Sequence, residues 1–346
     1  MQLTTGIIPF YIYPVEDSLL NHDNQTPYAQ LNPEFILDAI EHIGFRCSGS
    51  LLALNSYENR VYQIGIEDSD PLIAKFYRPH RWSSEAILEE HQFSLELAHH
   101  EIPIIAPLLI NDQTLHHHSE FRFALFPKRG GHALELDNNE QLEWMGRFLG
   151  RLHRVSACRS FQHRSQLNVQ NYGHNPYTLL LENNFIPDYL KDNFCKTVET
   201  ALEKIKQIFQ EIGQVTQIRV HGDCHAGNVL WSESGPHIVD LDDCLMGPAI
   251  QDIWMLLSGT PEHMEQQLDK ILQGYNEFHH FNPSERHLIE PLRTLRMLHY
   301  SGWLAKRWND PAFPLSFPWF NTPAHWQNQL ADLNEQIELL DRIECW

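Results

Sequence analysis

The spacing of apolar residues changes once along this chain, near residue 127, and that change limits the folds open to it. Before this point, β-rich runs alternate with polar turns, at 51–54, 60–66, 72–77, 106–110 and 121–126. Beyond it, apolar residues recur at helical spacing over 141–155, 197–212, 249–257, 264–275 and 285–308. The sequence therefore predicts an α+β protein with two lobes, an antiparallel-sheet lobe followed by a mainly helical lobe.

The boundary between the lobes is predicted at the end of the last β-rich run. Residues 127–131 (PKRGG) read as a linker, because paired glycines free the backbone where strand character stops. We therefore predict an N-terminal lobe over 1–126 and a C-terminal lobe over 127–346. One helix is predicted inside the first lobe, from Ser83 or Ser84 to about His99, with a serine as its N-cap. Residues 161–193 are polar and irregular in sequence, and a variable insertion or helices linked by loops are expected there.

The composition of the chain limits the classes of partner that it can bind. The chain has 346 residues, 45 acidic against 25 basic, and a formal net charge of -20. Like-charge repulsion argues against a nucleic-acid or acidic-membrane partner and favours cationic substrates. No segment reaches about eighteen uncharged apolar residues, and no basic stretch with a long apolar run opens the chain, so a soluble cytoplasmic protein, as a monomer, is expected. Six scattered cysteines are interpreted as reduced thiols, and the run 116–118 (HHH) as a solvated hairpin tip.

One polar passage stands apart from the helices around it. Residues 218–231 followed by 238–243 read as strand, polar loop, strand, turn and strand, and the runs 229–231 and 237–239 would pair as a hairpin. Asn228 stands at the entry of that hairpin and Asp240 at its exit. Two oxygen-bearing side chains would then be neighbours in space, which suits a hard cation such as Mg²⁺.

The loop before the hairpin carries a catalytic spacing. Asp223 lies five residues before Asn228 and two after His221, which is the His-x-Asp-x-x-x-x-Asn spacing of kinase catalytic loops, where the aspartate accepts the proton of the substrate hydroxyl. The pattern predicts a phosphotransferase with Asp223 and Asp240 as catalytic residues. A zinc site built from His221, Asp223 and His225, and a polar loop capped by its own side chains, are the alternatives.

The motif HGDCHAGN (221–228) with VDLDD (239–243) resembles the aminoglycoside phosphotransferase and choline kinase group. The wider sequence more closely resembles the bacterial stress response kinase A family of serine/threonine protein kinases, through LNSYENR (54–60), AKFYRP (74–79), ILEEHQF (87–93), GPAIQDIWM (247–255) and DPAFP (310–314). The resemblance implies a bilobed protein-kinase-like fold and transfer of the ATP γ-phosphate, with Mg²⁺, to protein serine or threonine, including autophosphorylation. A small-molecule kinase acting on a cationic alcohol remains the alternative.

The same resemblance implies roles in the first lobe. Lys75 would contact the α- and β-phosphates and pair with a carboxylate on the next helix, Glu90 or its neighbour Glu89. Ser56 would lie over the nucleotide, in a loop, 55–59, that lacks the glycines usual in protein kinases. Residues 126–128 would form the hinge beside the adenine.

Past Asp240 the chain is too short for a long activation loop, so a permanently assembled site is expected. Asp252 resembles a family position that braces the catalytic loop. Cys224 and Cys244 raise the hypothesis of a redox brake, with an inert buried thiol as the simpler interpretation. The aromatic segment 308–320 is expected to pack on the helical lobe or to form a recognition surface. The acidic residues close to Asp223 predict acceptors with a cationic group beside the hydroxyl.

Overall fold

The structure is a computed structural model that describes residues 27–233 and 235–342. Within these residues the first lobe is built on a five-stranded antiparallel sheet in the order β1-β2-β3-β5-β4. Its strands are β1 (Cys47–Leu54), β2 (Arg60–Ile66), β3 (Leu72–Phe76), β4 (His116–His118) and β5 (Phe121–Pro127). The first three strands pair in sequence order, as their turn signals predict. β5 pairs with β3 on the side opposite β2.

The strand predicted at 106–110 is wrong, and β4 takes its place in the sheet. Pro103 and Pro107 have no backbone N–H, so this stretch cannot form a regular ladder, although Leu108 N–H still donates to the Leu125 carbonyl (2.7 Å). The histidine run 116–118 is not a solvated tip. It pairs with β5 and alternates from buried His116 to exposed His117.

Within the described part of this lobe, two helices flank the sheet. The first, α1 (Pro33–His42), was not predicted; its N-cap Asn32 accepts from Phe35 N–H (2.9 Å), and its apolar face joins the core of the sheet. The second, α2 (Ser84–His99), begins after Ser83, whose hydroxyl caps it as predicted. In α2, Ile87 packs toward the sheet, whereas residues nearer its C-terminus join the core of the helical lobe. It therefore lies between the two lobes.

The second lobe contains the five predicted helices. Four of them differ from the predicted bounds by a few residues, whereas α5 (Asp188–Ile212) begins at Asp188 rather than at the predicted Thr197. Helix α3 (Asn139–Ser156) packs on α7 (Pro261–Tyr275) so closely that a Cβ at Gly146 would lie 1.9 Å from the Ile271 carbonyl oxygen, so only glycine fits there. The helix α4 (Asn175–Glu182) and the π-helical turn before it (Gln170–His174) lie in the stretch 161–193, where helices linked by loops were one of the two expectations. The helices are α3 (Asn139–Ser156), α4 (Asn175–Glu182), α5 (Asp188–Ile212), α6 (Ile250–Trp254), α7 (Pro261–Tyr275), α8 (Ile289–Arg307), α9 (Ala312–Ser316) and α10 (Pro323–Leu340).

Short strands frame the polar passage inside this lobe. They are β6 (His132–Ala133), β7 (Ile218–Val220), β8 (Val229–Ser232), β9 (Gly235–Ile238) and β10 (Leu245–Gly247). β8 and β9 form the predicted hairpin; Ser234 in its turn lies outside the described residues. β10 pairs with β7, so the segment after Asp240 returns beneath the catalytic loop. No helix in the described ranges is long and apolar enough to cross a membrane.

Candidate active site

The predicted catalytic loop, 221–228, connects β7 to β8. One buried carboxylate holds it in place. Asp252 on α6 accepts hydrogen bonds from the backbone N–H groups of His221 (2.8 Å) and Gly222 (2.9 Å). Its carboxylate also lies 3.0 Å from Nε2 of His153. Because Asp252 and His153 are fully buried, these bonds satisfy polar groups that water does not reach. The contacts expected of a brace at Asp252 are present.

His221 links the loop to the strand beside it. Its Nδ1 accepts from Asp223 N–H (3.3 Å), so Nε2 carries the proton and donates to the Val239 carbonyl (2.9 Å). Both ring nitrogens are therefore engaged within the protein. The described residues also contain no group of three or more His, Cys, Asp or Glu arranged to hold a metal ion. His221 is therefore not available as the ligand that the alternative zinc site requires.

Asp223 lies between two nitrogen-bearing side chains. Arg296 Nη2, from α8, lies 2.7 Å from its Oδ1, and His225 Nε2 lies 3.5 Å from its Oδ2. Burial by itself raises the pKa of this carboxyl, but the charge of Arg296 and the hydrogen bond from His225 outweigh burial and hold the pKa well below its usual range. Asp223 is thus an oriented carboxylate at neutral pH. Sequence reasoning missed Arg296, which no motif marks.

Asn228 and Asp240 are brought together by the hairpin, as predicted. Val239 N–H donates to the Asn228 carbonyl (3.0 Å), which continues the ladder between β8 and β9 by one step. The Asn228 side chain donates through Nδ2 to the Asp223 carbonyl (2.9 Å), which leaves its Oδ1 as an acceptor. Asp240 adopts a left-handed conformation (φ 62°) and keeps 53% of its side chain exposed. The strand pair therefore brings the backbone of Asn228 next to Val239, and the half-exposed carboxylate of Asp240 follows directly.

Lys75 connects the first lobe to this segment. Its Nζ lies 2.9 Å from Asp240 Oδ1, 3.3 Å from Asp242 Oδ1 and 3.5 Å from Glu90 Oε1. Burial lowers the pKa of Lys75, but the three carboxylates outweigh that effect and raise it well above its usual value. Burial, with the nearby charge of Asp242, raises the pKa of Glu90 to about 7 despite the attraction of Lys75.

The structure distinguishes Glu90 from Glu89. Glu90 is buried and faces Lys75, whereas the Glu89 carboxylate points away and accepts the backbone N–H groups of Gln162 (2.6 Å) and His163 (2.7 Å). Two adjacent positions on α2 are about 100° apart around the helix axis, so they cannot face the same partner. Glu90 is the carboxylate in contact with Lys75.

Arginines neutralise the acidic residues after Asp240, and sequence reasoning missed them. Arg81, on the loop after β3, pairs with both Asp242 and Asp243. Arg164 donates from Nε to the Cys244 carbonyl (2.9 Å) and from its Nη2 to the carbonyl of Asp242. With Lys75 on Asp240 and Arg296 on Asp223, each acid of this group has a cationic partner. Formal charge counts do not show this pairing. Arg81 is shared by two aspartates, and a negative potential on the acceptor side stays a prediction.

The Ser56 hydroxyl is hydrogen-bonded within its own turn. It donates to the Asn59 carbonyl (3.0 Å) and accepts from Val61 N–H (3.2 Å), so it closes the turn between β1 and β2. The loop that contains it stands above the segment of Asp242, because Asn59 Nδ2 donates to Asp242 Oδ2 (3.1 Å). Contact between Ser56 and a nucleotide stays a prediction.

Cys224 and Cys244 are both fully buried. Burial raises the pKa of the Cys244 thiol to about 12 and that of Cys224 well above its usual value. Since the thiolate is the form that reacts with oxidants, these positions fit inert packing residues rather than a redox brake.

In the aromatic segment 308–320, Phe313, Phe317 and Phe320 are buried, so the segment packs on the helical lobe.

Comparison with known proteins shows the family of this chain. Residues 50–289 match the model of a phosphotransferase enzyme family. The chain is 45% identical over 313 residues to stress response kinase A of Escherichia coli O157:H7, covering 90% of this chain and 94% of that protein. It is 44% identical over 319 residues to the serine/threonine protein kinase RdoA of Salmonella typhimurium (strain LT2), covering 92% and 96%.

A solved structure with a similar fold is the amicoumacin kinase hAmiN in complex with AMP-PNP, Ca²⁺ and Ami. Its TM-score is 0.69 at 20% identity, covering 88% of this chain and 92% of that one. At this identity the likeness concerns the fold alone. The chain therefore belongs to the phosphotransferase enzyme family, with a bilobed protein-kinase-like fold. Within it, the chain belongs to the stress response kinase A family.

Proposed function

We propose that this phosphotransferase transfers the γ-phosphate of ATP, with Mg²⁺, to serine or threonine hydroxyls of proteins, including its own. The observation that carries the proposal is the meeting of Lys75 and Asp240 beside the loop of Asp223 and Asn228, four positions contributed by both lobes. The names of the 44–45% identical relatives support a protein acceptor.

The donor atoms fit a magnesium ion. Asn228 Oδ1 and the half-exposed Asp240 carboxylate are oxygen ligands, and the second oxygen of Asp240 remains after Lys75 contacts the first. When bound, Mg²⁺ would neutralise charge on the nucleotide phosphates. The chain's own residues do the rest: Lys75, held by Glu90, orients the phosphates, and Asp223 orients the acceptor hydroxyl and takes its proton.

A small-molecule alcohol is the second candidate acceptor. It is favoured by the short span between Asp240 and α6, which a 3-10 turn (Leu241–Asp243) and β10 fill, leaving no room for a long activation loop. A permanently assembled site of this kind suits small acceptors as well as proteins.

Labelling with radioactive ATP separates the two candidates. The purified protein with Mg²⁺ is offered a basic protein such as histone, an acidic one such as casein, choline and an aminoglycoside in parallel. We expect phosphoserine or phosphothreonine on the enzyme and on a protein substrate, lost in Asp223→Ala and kept in Asp70→Ala, which changes an exposed turn. Rapid labelling of a small alcohol with no labelled protein would contradict the protein acceptor and leave the fold and site unchanged.

A further inference from the structure

The loop 55–59 between β1 and β2 contains no glycine, yet it stands where a phosphate-covering loop is expected. Glycine-rich loops are flexible and become ordered when phosphates bind. This loop is held before any ligand arrives. Ser56 closes the turn locally, and Tyr57 lays its ring 4.8 Å from that of Phe317 in the helical lobe.

Glu58 makes the strongest connection. Its Oε2 accepts from Trp303 Nε1 (2.6 Å) and lies 2.5 Å from Arg307 Nη2. Both partners are on α8, four residues apart, and so present the same face of that helix to the loop. Arg78 Nε and Arg81 Nη1 approach the same carboxylate to 3.6 and 3.8 Å. Only 12% of the Glu58 side chain is exposed, so water does not screen these contacts strongly.

The loop is also tied to the segment of the proposed magnesium ligand. Asn59 is buried; its Nδ2 donates to Asp242 Oδ2 (3.1 Å) and its Oδ1 accepts from Arg78 N–H (3.1 Å). Asp242 is two residues from Asp240. The contacts with Asp242, Trp303 and Arg307 therefore fix the position of the loop relative to the helical lobe.

We propose that Glu58 is a positioning residue for nucleotide phosphates, anchoring the glycine-free loop to Trp303 and Arg307 on α8. The inference rests on the proposed function and deepens it. A loop that is ordered in advance loses less conformational entropy when phosphates bind, so affinity for them depends on the anchor. Adenosine, which has no phosphates to meet the loop, should not depend on it.

The experiment compares ATP and adenosine, each competed against a fluorescent ATP analogue in the presence of Mg²⁺. Glu58→Gln keeps the size of the side chain and removes its charge; we expect ATP affinity to fall about tenfold and adenosine affinity to stay within about twofold. Trp303→Phe keeps every charge and removes one donor, so the same selective loss should be smaller, about threefold. The control is Glu67→Gln, an exposed acid of the same lobe that pairs with Arg46 at 3.6 Å, and neither affinity should change.

Two results would overturn the inference. Equal ATP affinity in Glu58→Gln, Trp303→Phe and wild type would show that the anchor does not serve phosphate binding. Equal weakening of ATP and adenosine would show a general effect on the lobes instead of a positioned loop. If Glu58→Gln does not fold, the loss of ATP affinity relative to adenosine affinity in Trp303→Phe tests the inference alone. Wild-type protein that binds no ATP would remove the proposed function first, and this inference with it.

Discussion

The catalytic loop and the loop 55–59 are both short and polar, but they are held in different ways. In the catalytic loop, His221, Asp223 and Asn228 bond to one another within a few residues, with Asp252 below. In the loop 55–59, Glu58 depends on Trp303 and Arg307, about 245 positions further along the chain. The first is a local structure with a brace, and the second a long-range contact between lobes. The spacing of residues in the sequence predicts a local structure of the first kind, but it gives no sign of a long-range contact of the second kind.

The largest expected effect lies in the catalytic loop. Asp223→Ala should lower phosphoryl transfer about 1,000-fold and leave nucleotide affinity nearly unchanged, because in the proposed mechanism Asp223 contacts the acceptor and not the nucleotide. Asp240→Ala should weaken Mg²⁺-dependent nucleotide binding as well. Steady-state rates and a nucleotide titration on both variants test this. Equal loss of nucleotide affinity in the two variants would contradict the division between the acceptor and nucleotide sides.

The brace of the catalytic loop is the next test. Asp252→Ala leaves two backbone N–H groups and His153 without their buried partner, so we expect the free energy of unfolding in urea to fall by about 3 kcal/mol. Asp252→Asn keeps an acceptor oxygen and should cost less. A loss below about 1 kcal/mol in Asp252→Ala would mean that the loop holds its shape without the brace.

A smaller effect concerns pH on the nucleotide side. Burial raises the pKa of Glu90 from 4.5 to about 7, so between these values the folded protein binds the proton and the unfolded chain does not. The stability of wild type relative to Glu90→Gln should therefore fall by roughly 2–3 kcal/mol as pH rises from about 4.5 to 7, and then stay level. Urea unfolding of both proteins across this range measures it. A difference that rises or stays flat with pH would show that Lys75 outweighs burial.

The smallest effect compares the two loops directly. Trp303→Phe should speed amide hydrogen exchange at 55–59 about tenfold, because it removes one hydrogen bond to a charged group. Exchange at 221–228 should not change, because α8 contacts this loop through Arg296 and not through Trp303. Mass spectrometry of peptides from both loops gives the comparison. Faster exchange in both loops would show that they form one cooperative unit.

Much of the fold was predictable where residues contact near neighbours in sequence. The hairpin that joins Asn228 to Asp240, the serine cap of α2 and the helical periodicity beyond residue 127 all follow from spacing. Strand β4 was not predictable, because Ala106–Ile110 has strand composition. Only Pro103, Pro107 and the pairing of β4 with β5 show that the sheet uses 116–118 instead. Helix α1 likewise gains its stability from packing on the sheet.

The sequence by itself determined the order of the two lobes, the catalytic spacing around Asp223 and the oxygen pair of Asn228 and Asp240, because local hydrogen bonds and turn geometry fix them. Only the tertiary structure decided that Glu90 rather than Glu89 faces Lys75, and that Arg81, Arg296 and Arg307 neutralise acids distant in sequence. A charged side chain finds its partner through the packing of whole helices and lobes, and that packing depends on apolar contacts spread over the chain. Ion pairs between lobes therefore leave no local pattern.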